Sequence, residues 1–199
     1  MSASTGNTTT GVILAGGKNS RMGSNKALLQ IQGKTFIEHI AETLRQIVPE
    51  VIVIADQREE FEFLALPIYP DIYKDCGPLA GLHSSFMNTD IPAILAVTCD
   101  MPLVEASLLS TLLNSPPDHD AALFSTDEFI HPFPGLYRRT CLPRLEQNLE
   151  AKKYSVIGLI RTLNVITYPI LPSPHSLKLN PFTHINNPSD YRKLHEGHL

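Results

Sequence analysis

Residues 11–29, GVILAGGKNSRMGSNKALL, constrain the fold of this chain more than any other stretch. The apolar run Val12, Ile13, Leu14 stops on Ala15 and two adjacent glycines, Gly16 and Gly17. Two cations, Arg21 and Lys26, then follow within ten residues. Such a run predicts a buried strand that feeds a tight loop. Glycine lets a backbone come close to a ligand, so that N–H groups face phosphate oxygens. Arg21 and Lys26 can neutralise the charge that amides balance only in part. The stretch is a candidate polyphosphate site; its plainer reading is a glycine-rich turn with two solvated cations.

Two familiar phosphate loops are excluded. A Walker A loop needs G-x-x-x-x-G-K-[ST], yet Arg21 stands five residues after Gly16 and Met22 five after Gly17. The dinucleotide pattern G-x-G-x-x-G fails because Gly16 and Gly17 are adjacent and Gly23 is out of register. What remains resembles L-A-G-G-x-x-S-R-M-G-x-x-K, the signature loop of nucleotidyltransferases that join a nucleoside triphosphate to a phosphorylated acceptor. Leu14, Ala15, Gly16, Gly17, Ser20, Arg21, Met22, Gly23 and Lys26 match it in order.

The rest of the chain alternates between strand and helix patterns. Residues 33–48 place Phe36, Ile37, Ile40, Ala41, Leu44, Ile47 and Val48 on one helical face, and Pro49 ends that helix. Residues 51–55 and 94–98 are continuous apolar runs of the buried-strand kind. Residues 105–114 carry helically spaced leucines, and 121–125 predict a short strand. Residues 140–152 and 154–163 read as helices, 165–170 as extended chain, and 189–197 as a terminal helix. Residues 169–188 hold five of the 16 prolines and predict an irregular loop. This alternation predicts an α/β fold with a mainly parallel sheet and right-handed connections. The resemblance adds that the fold is the Rossmann-like nucleotidyltransferase one, three layers α/β/α.

At 199 residues the chain suits one domain, against a prior of roughly 150 residues per domain. We expect that domain over residues 11–199, behind a disordered tail of small polar residues, 1–10, that has no secretory pattern. A net charge of -4 argues against a nucleic-acid surface. The run 91–97 is too short to span a bilayer. Cys76, Cys99 and Cys141 are widely spaced, with no C-x-x-C pair, so neither a disulfide framework nor a structural zinc is indicated. A reducing cytoplasm is the expected setting.

Ligands of such sheets bind outside the carboxyl ends of the strands, and the apolar run 94–98 leads straight to Asp100. A carboxylate there can hold Mg²⁺, which takes about one or two protein carboxylates and completes its shell with water and phosphate. The alternative is a helix cap near Pro102.

Between these two sites lies G-P-L-A-G, residues 77–81, which resembles the molybdenum cofactor guanylyltransferases. In that family an aspartate shortly before this element contacts the nucleotide. Asp71 holds the matching place, while Asp75 lies closer and leaves the choice open; either could equally be a turn residue. Residues 98–102 match the family's C-D-x-P element, and His131-Pro132 matches an H-P pair on the acceptor side. Residues 185–191 match N-x-P-x-[DE], with Asn186 near the metal or, as plausibly, capping a helix. One departure stands at Ile54-Ala55-Asp56, where family members often carry an asparagine near the nucleotide; Ile54 cannot make that contact. The likeness spans residues 11–194 and loosens after Leu123.

The resemblance implies that GTP and molybdopterin, or molybdenum cofactor, react to give the guanine dinucleotide cofactor and pyrophosphate with Mg²⁺. It assigns the nucleotide to Leu14, Ala15, Gly16, Gly17, Lys26, Asp71 and Asp100, and catalysis to Arg21, Lys26 and Asp100. The metal falls to Asp100 and Asn186, and the acceptor side to His131. Transient contacts with other cofactor-biosynthesis proteins are expected, and neither nucleic acid nor membrane. The rivals are a molybdopterin cytidylyltransferase, a sugar-phosphate nucleotidyltransferase, and a non-catalytic nucleotide-binding protein.

Overall fold

The computed structural model describes residues 9–16, 25–170, 182–185 and 188–195 of the chain. The first strand, β1 (Thr9–Leu14), is buried along its whole length. A small ribbon, β2 (Gln30–Ile31) and β3 (Lys34–Thr35), leads into α1 (Phe36–Arg45), β4 (Glu50–Ile54) and the short β5 (Ile68–Tyr69). Next come α2 (Pro78–Met87), β6 (Ala93–Thr98), α3 (Ala106–Leu113), β7 (Ala121–Ser125) and β8 (Ile130–Arg138). The chain closes with α4 (Leu142–Glu150), α5 (Val156–Ile160), β9 (Val165–Pro169) and α6 (Pro188–His195). Seven strands form one sheet in the order β5-β4-β1-β6-β8-β7-β9. All its neighbours pair in parallel except β8, which runs antiparallel between β6 and β7.

Helix α1 shows how local sequence sets these elements. Thr35 caps it and Glu38 returns the bond, so the helix begins on a capping box. Phe36, Ile37, Ile40, Ala41 and Leu44, spaced for one face, are all fully buried. The helices cover both faces of the sheet. A side chain at Gly11 would stand 3.0 Å from Val48 and 3.3 Å from Leu44, on the α1 side, whereas Leu14 packs against Gly81 of α2. Positions three apart on a strand face opposite ways, so α1 and α2 lie on opposite faces, which gives the three layers.

Two residues expected in the tail, Thr9 and Thr10, belong to β1 instead; residues 1–8 lie outside the described residues. Thr9 and Thr10 are 6% and 1% exposed, and the Thr10 hydroxyl donates to Glu50 at 3.1 Å. The helix expected over 140–152 opens with a 3-10 turn, Arg139–Cys141, before α4. That expected over 154–163 contracts to α5, because Ser155 caps it by accepting from Gly158 N–H. Much of the proline-rich segment, residues 171–181, lies outside the described residues.

The sequence pattern missed α2, β8 and the short strands β2, β3 and β5, and the helix expected over 33–48 contracts to α1 because residues 34–35 form β3. In β8, Pro132 and Pro134 lack the N–H that a ladder needs. The structure accommodates them because β6 pairs only with residues 135–138, and the register with β7 shifts between Leu123 and Phe124.

Candidate functional site

A cleft of about 830 Å³ opens at the carboxyl ends of β1, β4 and β6. From β1 the chain crosses to β4 on one side, and later to β6 on the other. That reversal leaves a crevice above the central strand, the place where open parallel sheets bind ligands. Backbone bonds keep the strand ends aligned beneath it: Ala15 N–H donates to Ile54 O at 3.0 Å, and Cys99 N–H to Leu14 O at 3.2 Å.

Gly16 lies at the cleft's edge, and a side chain there would come within 3.3 Å of Asp71 Oδ2. Its lack of a Cβ therefore keeps the approach to Asp71 open. Lys26 lines the same cleft at the start of a 3-10 turn, Lys26–Leu28, which Asn25 caps by accepting from Ala27 N–H at 3.1 Å. Asn25 in turn bonds Glu60, tying the turn to the segment after β4.

The G-P-L-A-G element acquires a physical meaning here. Gly77 takes φ 65° and ψ -157°, a conformation open almost only to glycine, and so turns the chain into α2. Pro78 fills the first turn of α2, where no N–H is missed. Gly81 lets the helix settle on β1, since a Cβ there would be 2.8 Å from Leu14 Cδ2. Gly77 and Pro78 line the cleft, so the positive end of the helix dipole faces it.

Asp100 follows β6 and is 19% exposed. Its Oδ2 lies 3.2 Å from His184 Nδ1, and its backbone oxygen accepts from Ile185 N–H at 2.9 Å. Burial pushes the carboxyl pKa up, but the bond and charge of His184, then the neighbouring Thr98 hydroxyl and the charge of Lys26, outweigh it and hold Asp100 below the ordinary value. Its Oδ1 is buried and finds no hydrogen-bond partner among the described residues. An ionised, one-sided carboxylate of this kind fits a hard cation. Among the described residues no three His, Cys, Asp or Glu side chains cluster as a metal cage. Mg²⁺ needs none when phosphates and water fill its shell.

Asp71 follows β5, on the other side of β1 from the strand that carries Asp100. Burial, and then the charge of Asp56, push its pKa up to about 6, with Lys74 pulling the other way. Asp56 accepts from Asp71 N–H at 3.2 Å and from Lys74 Nζ at 2.5 Å. Cys99 lines the cleft too, but burial drives its thiol up to about 12, so it stays protonated and is no nucleophile at neutral pH.

Of the residues singled out in the sequence, Leu14, Ala15, Gly16, Lys26, Asp71 and Asp100 converge on this cleft, and Asp75 lines it as well. Ile54 is in the wall, with Asp56 beside it. Gly17, Arg21 and Asn186 lie outside the described residues. His131 is not among the residues lining the cleft. It sits half-buried with its ring 5.9 Å from Phe129 and 5.7 Å from Phe182, its pKa held down first by burial and then by nearby His184. Sequence reading missed His184 altogether. Its one signal was a histidine within the segment that closes on the N-x-P element.

Fold and cleft together define a class, the nucleoside triphosphate transferases of three-layer α/β architecture. Within it, the chain belongs to the family described as MobA-like NTP transferase domain, whose model matches residues 11–163. It is 34% identical over 183 residues to a probable molybdenum cofactor guanylyltransferase of Carboxydothermus hydrogenoformans, covering 92% of each chain. It is 33% identical to the molybdenum cofactor guanylyltransferase of Photobacterium profundum, covering 94% of this chain and 95% of that one. The crystal structure of molybdopterin-guanine dinucleotide biosynthesis protein A from Archaeoglobus fulgidus superposes with a TM-score of 0.78 at 23% identity, over 94% of this chain and 97% of the other.

Proposed function

We propose that this protein transfers GMP from GTP to the phosphate of molybdopterin or molybdenum cofactor, giving the guanine dinucleotide cofactor and pyrophosphate. The observation that carries this reading is the convergence of Gly16, Lys26 and Asp100 on one cleft, in a chain 33% identical to a molybdenum cofactor guanylyltransferase.

In this reaction an oxygen of the acceptor phosphate attacks the α-phosphorus of GTP. The bond from that phosphorus to the bridging oxygen of the β-phosphate breaks, and pyrophosphate leaves. An acceptor phosphate is already ionised at neutral pH, so no side chain has to remove a proton. Two anions must meet, and the protein supplies position and positive charge. Lys26 and the amino end of α2 supply that charge within the cleft, and the loop motif gives Gly17 and Arg21 the same part. Asp100 would hold Mg²⁺ through Oδ1, with Asn186 as a second oxygen donor, and the ion would neutralise and align the phosphates. Asp71 and its neighbours are then left for the nucleoside end. A cytoplasmic setting suits the unpaired cysteines; no helix among the described residues is long and apolar enough to cross a membrane.

The test is pyrophosphate release with Mg²⁺ and molybdopterin, comparing GTP, CTP, ATP and UTP. Release with GTP alone supports the assignment. Release with CTP instead moves the protein to a cytidylyl acceptor chemistry. Silence with all four, from folded protein and active acceptor, leaves a nucleotide-binding protein without this reaction.

A further inference from the structure

The pairing of β8 with β6 and β7 decides what lies at the sheet edge that carries Asp100. Ala93 pairs with Arg138 and Ala96 with Gly135, so the amino end of β8 reaches past the carboxyl end of β6. Residues 182–185 link this corner to Asp100: His184 bonds Asp100 Oδ2, and Phe182 meets His131. Ser125 pairs with Ile130, so the β7–β8 turn, residues 126–129, leaves the sheet at the edge that carries the cleft. The turn is tied by its own bonds, Thr126 N–H donating to Phe129 O at 2.9 Å and Phe129 N–H to the Thr126 hydroxyl at 3.3 Å.

At this corner the structure places a chain of rings. Phe129 meets His131 edge to face at 5.9 Å, His131 lies 5.7 Å from Phe182, and Phe182 meets Phe124 at 5.0 Å. Phe182 and Phe124 are buried, which anchors the row. Phe129 is 58% exposed, the most of any large apolar side chain among the described residues. Phe182 precedes His184 by two residues, and His184 bonds Asp100. The row therefore starts beside the carboxylate where the phosphates would meet and ends in an open aromatic face. Asp56 and Asp71 follow β4 and β5, on the other side of β1 from β6 and β8, which leaves that face to the acceptor.

We propose that Phe129, braced by His131 and Phe182, is the stacking platform for a flat heteroaromatic ring of the acceptor. The proposal rests on the function given above, in which that ring is a pterin. A bicyclic ring presents a π-face much as a nucleobase does. An aromatic side chain beneath a base is worth roughly tenfold in affinity by truncation. Phe129 needs no further substrate contact to act: it sets how tightly the acceptor is held, and leaves the nucleotide alone.

The test compares wild type with Phe129→Ala and Phe129→Trp. Because Phe129 is exposed, both should melt with wild type. In pyrophosphate release, Phe129→Ala should raise the KM for molybdopterin about tenfold while the KM for GTP stays within about twofold; Phe129→Trp should restore the acceptor KM. Independently of turnover, the fluorescence of 6-hydroxymethylpterin should be quenched on titration with wild type and with Phe129→Trp, and clearly less with Phe129→Ala. An unchanged acceptor KM, an equal rise for both substrates, or identical quenching curves overturn the platform. Absence of turnover in wild type with every nucleotide would instead strike the assigned reaction, and the pterin titration would still decide the platform.

Discussion

Asp100→Asn removes one charge from the cleft and leaves the shape of the side chain almost unchanged, so it separates chemistry from stability. Asp100 is 19% exposed, and its partner His184 is 34% exposed. Weakening the hydrogen bond between them costs about 1 kcal/mol. Against this, Asp100 keeps a buried, unpartnered Oδ1, and such an atom costs a folded protein about 1–3 kcal/mol. A neutral amide is easier to bury there than an ion. The two effects offset each other, so stability should move by no more than about 2 kcal/mol. At ~2–4 °C per kcal/mol for a chain this long, that is several degrees at most, in either direction. Catalysis has no such offset. Loss of one preorganised electrostatic group costs about 10²–10³ in rate, roughly 2.7–4 kcal/mol in the barrier. The assay is pyrophosphate release at saturating GTP and molybdopterin, with a thermal melt of the same preparations. Turnover within about fivefold of wild type, or a melting point lower by more than about 10 °C, would refute the reasoning: the first denies Asp100 its role, the second makes that role structural.

Three further outcomes follow from the geometry. Lys26→Ala should lower turnover about 10²-fold and weaken GTP binding in calorimetry, with the melting point nearly unchanged, since the side chain lines the cleft rather than the core. Asp71→Asn should alter how stability depends on pH. The folded pKa of Asp71, about 6, lies above its ordinary 3.8, so the native state holds the proton longer than the unfolded chain. Stability of the wild type therefore falls as pH rises from about 4 to 6, and Asn removes that penalty. Urea midpoints should show the variant ahead at pH 7 and its lead shrinking below pH 6. Gly77→Ala meets no atom within 4 Å, yet its φ of 65° remains. It should cost about 1–3 kcal/mol from backbone strain alone, read as a lower urea midpoint.

The parts of the site legible in the sequence are those that a strand delivers to its own carboxyl end. Leu14, Ala15 and Gly16 follow the buried run of β1, and Asp100 follows that of β6. In a parallel sheet both ends open on one edge, so two apolar runs sufficed to place glycine and carboxylate together. G-P-L-A-G was legible as a motif but not as mechanics: neither the φ of Gly77 nor the 2.8 Å clearance at Gly81 has a sequence signature of its own. The helix α2 was missed for a related reason. Its residues from Leu79 to Phe86 are buried all round, so no amphipathic stripe announces it.

What the sequence by itself determined was the α/β class, the glycines after β1, the aspartate after β6 and the family, because each rests on local order along the chain: a run, a turn, a spacing. What only the tertiary structure decided was who stands beside these groups. His184 lies 84 positions from Asp100 and reaches it through a segment with no periodicity, held by the bond from Ile185 to Asp100. The placement of His131 and Phe129 at the edge of the sheet that carries the cleft depends on the antiparallel pairing of β7 with β8, which two prolines conceal. Contacts between distant segments are chosen by packing across the whole sheet, and packing leaves its record in three dimensions rather than in the order of residues.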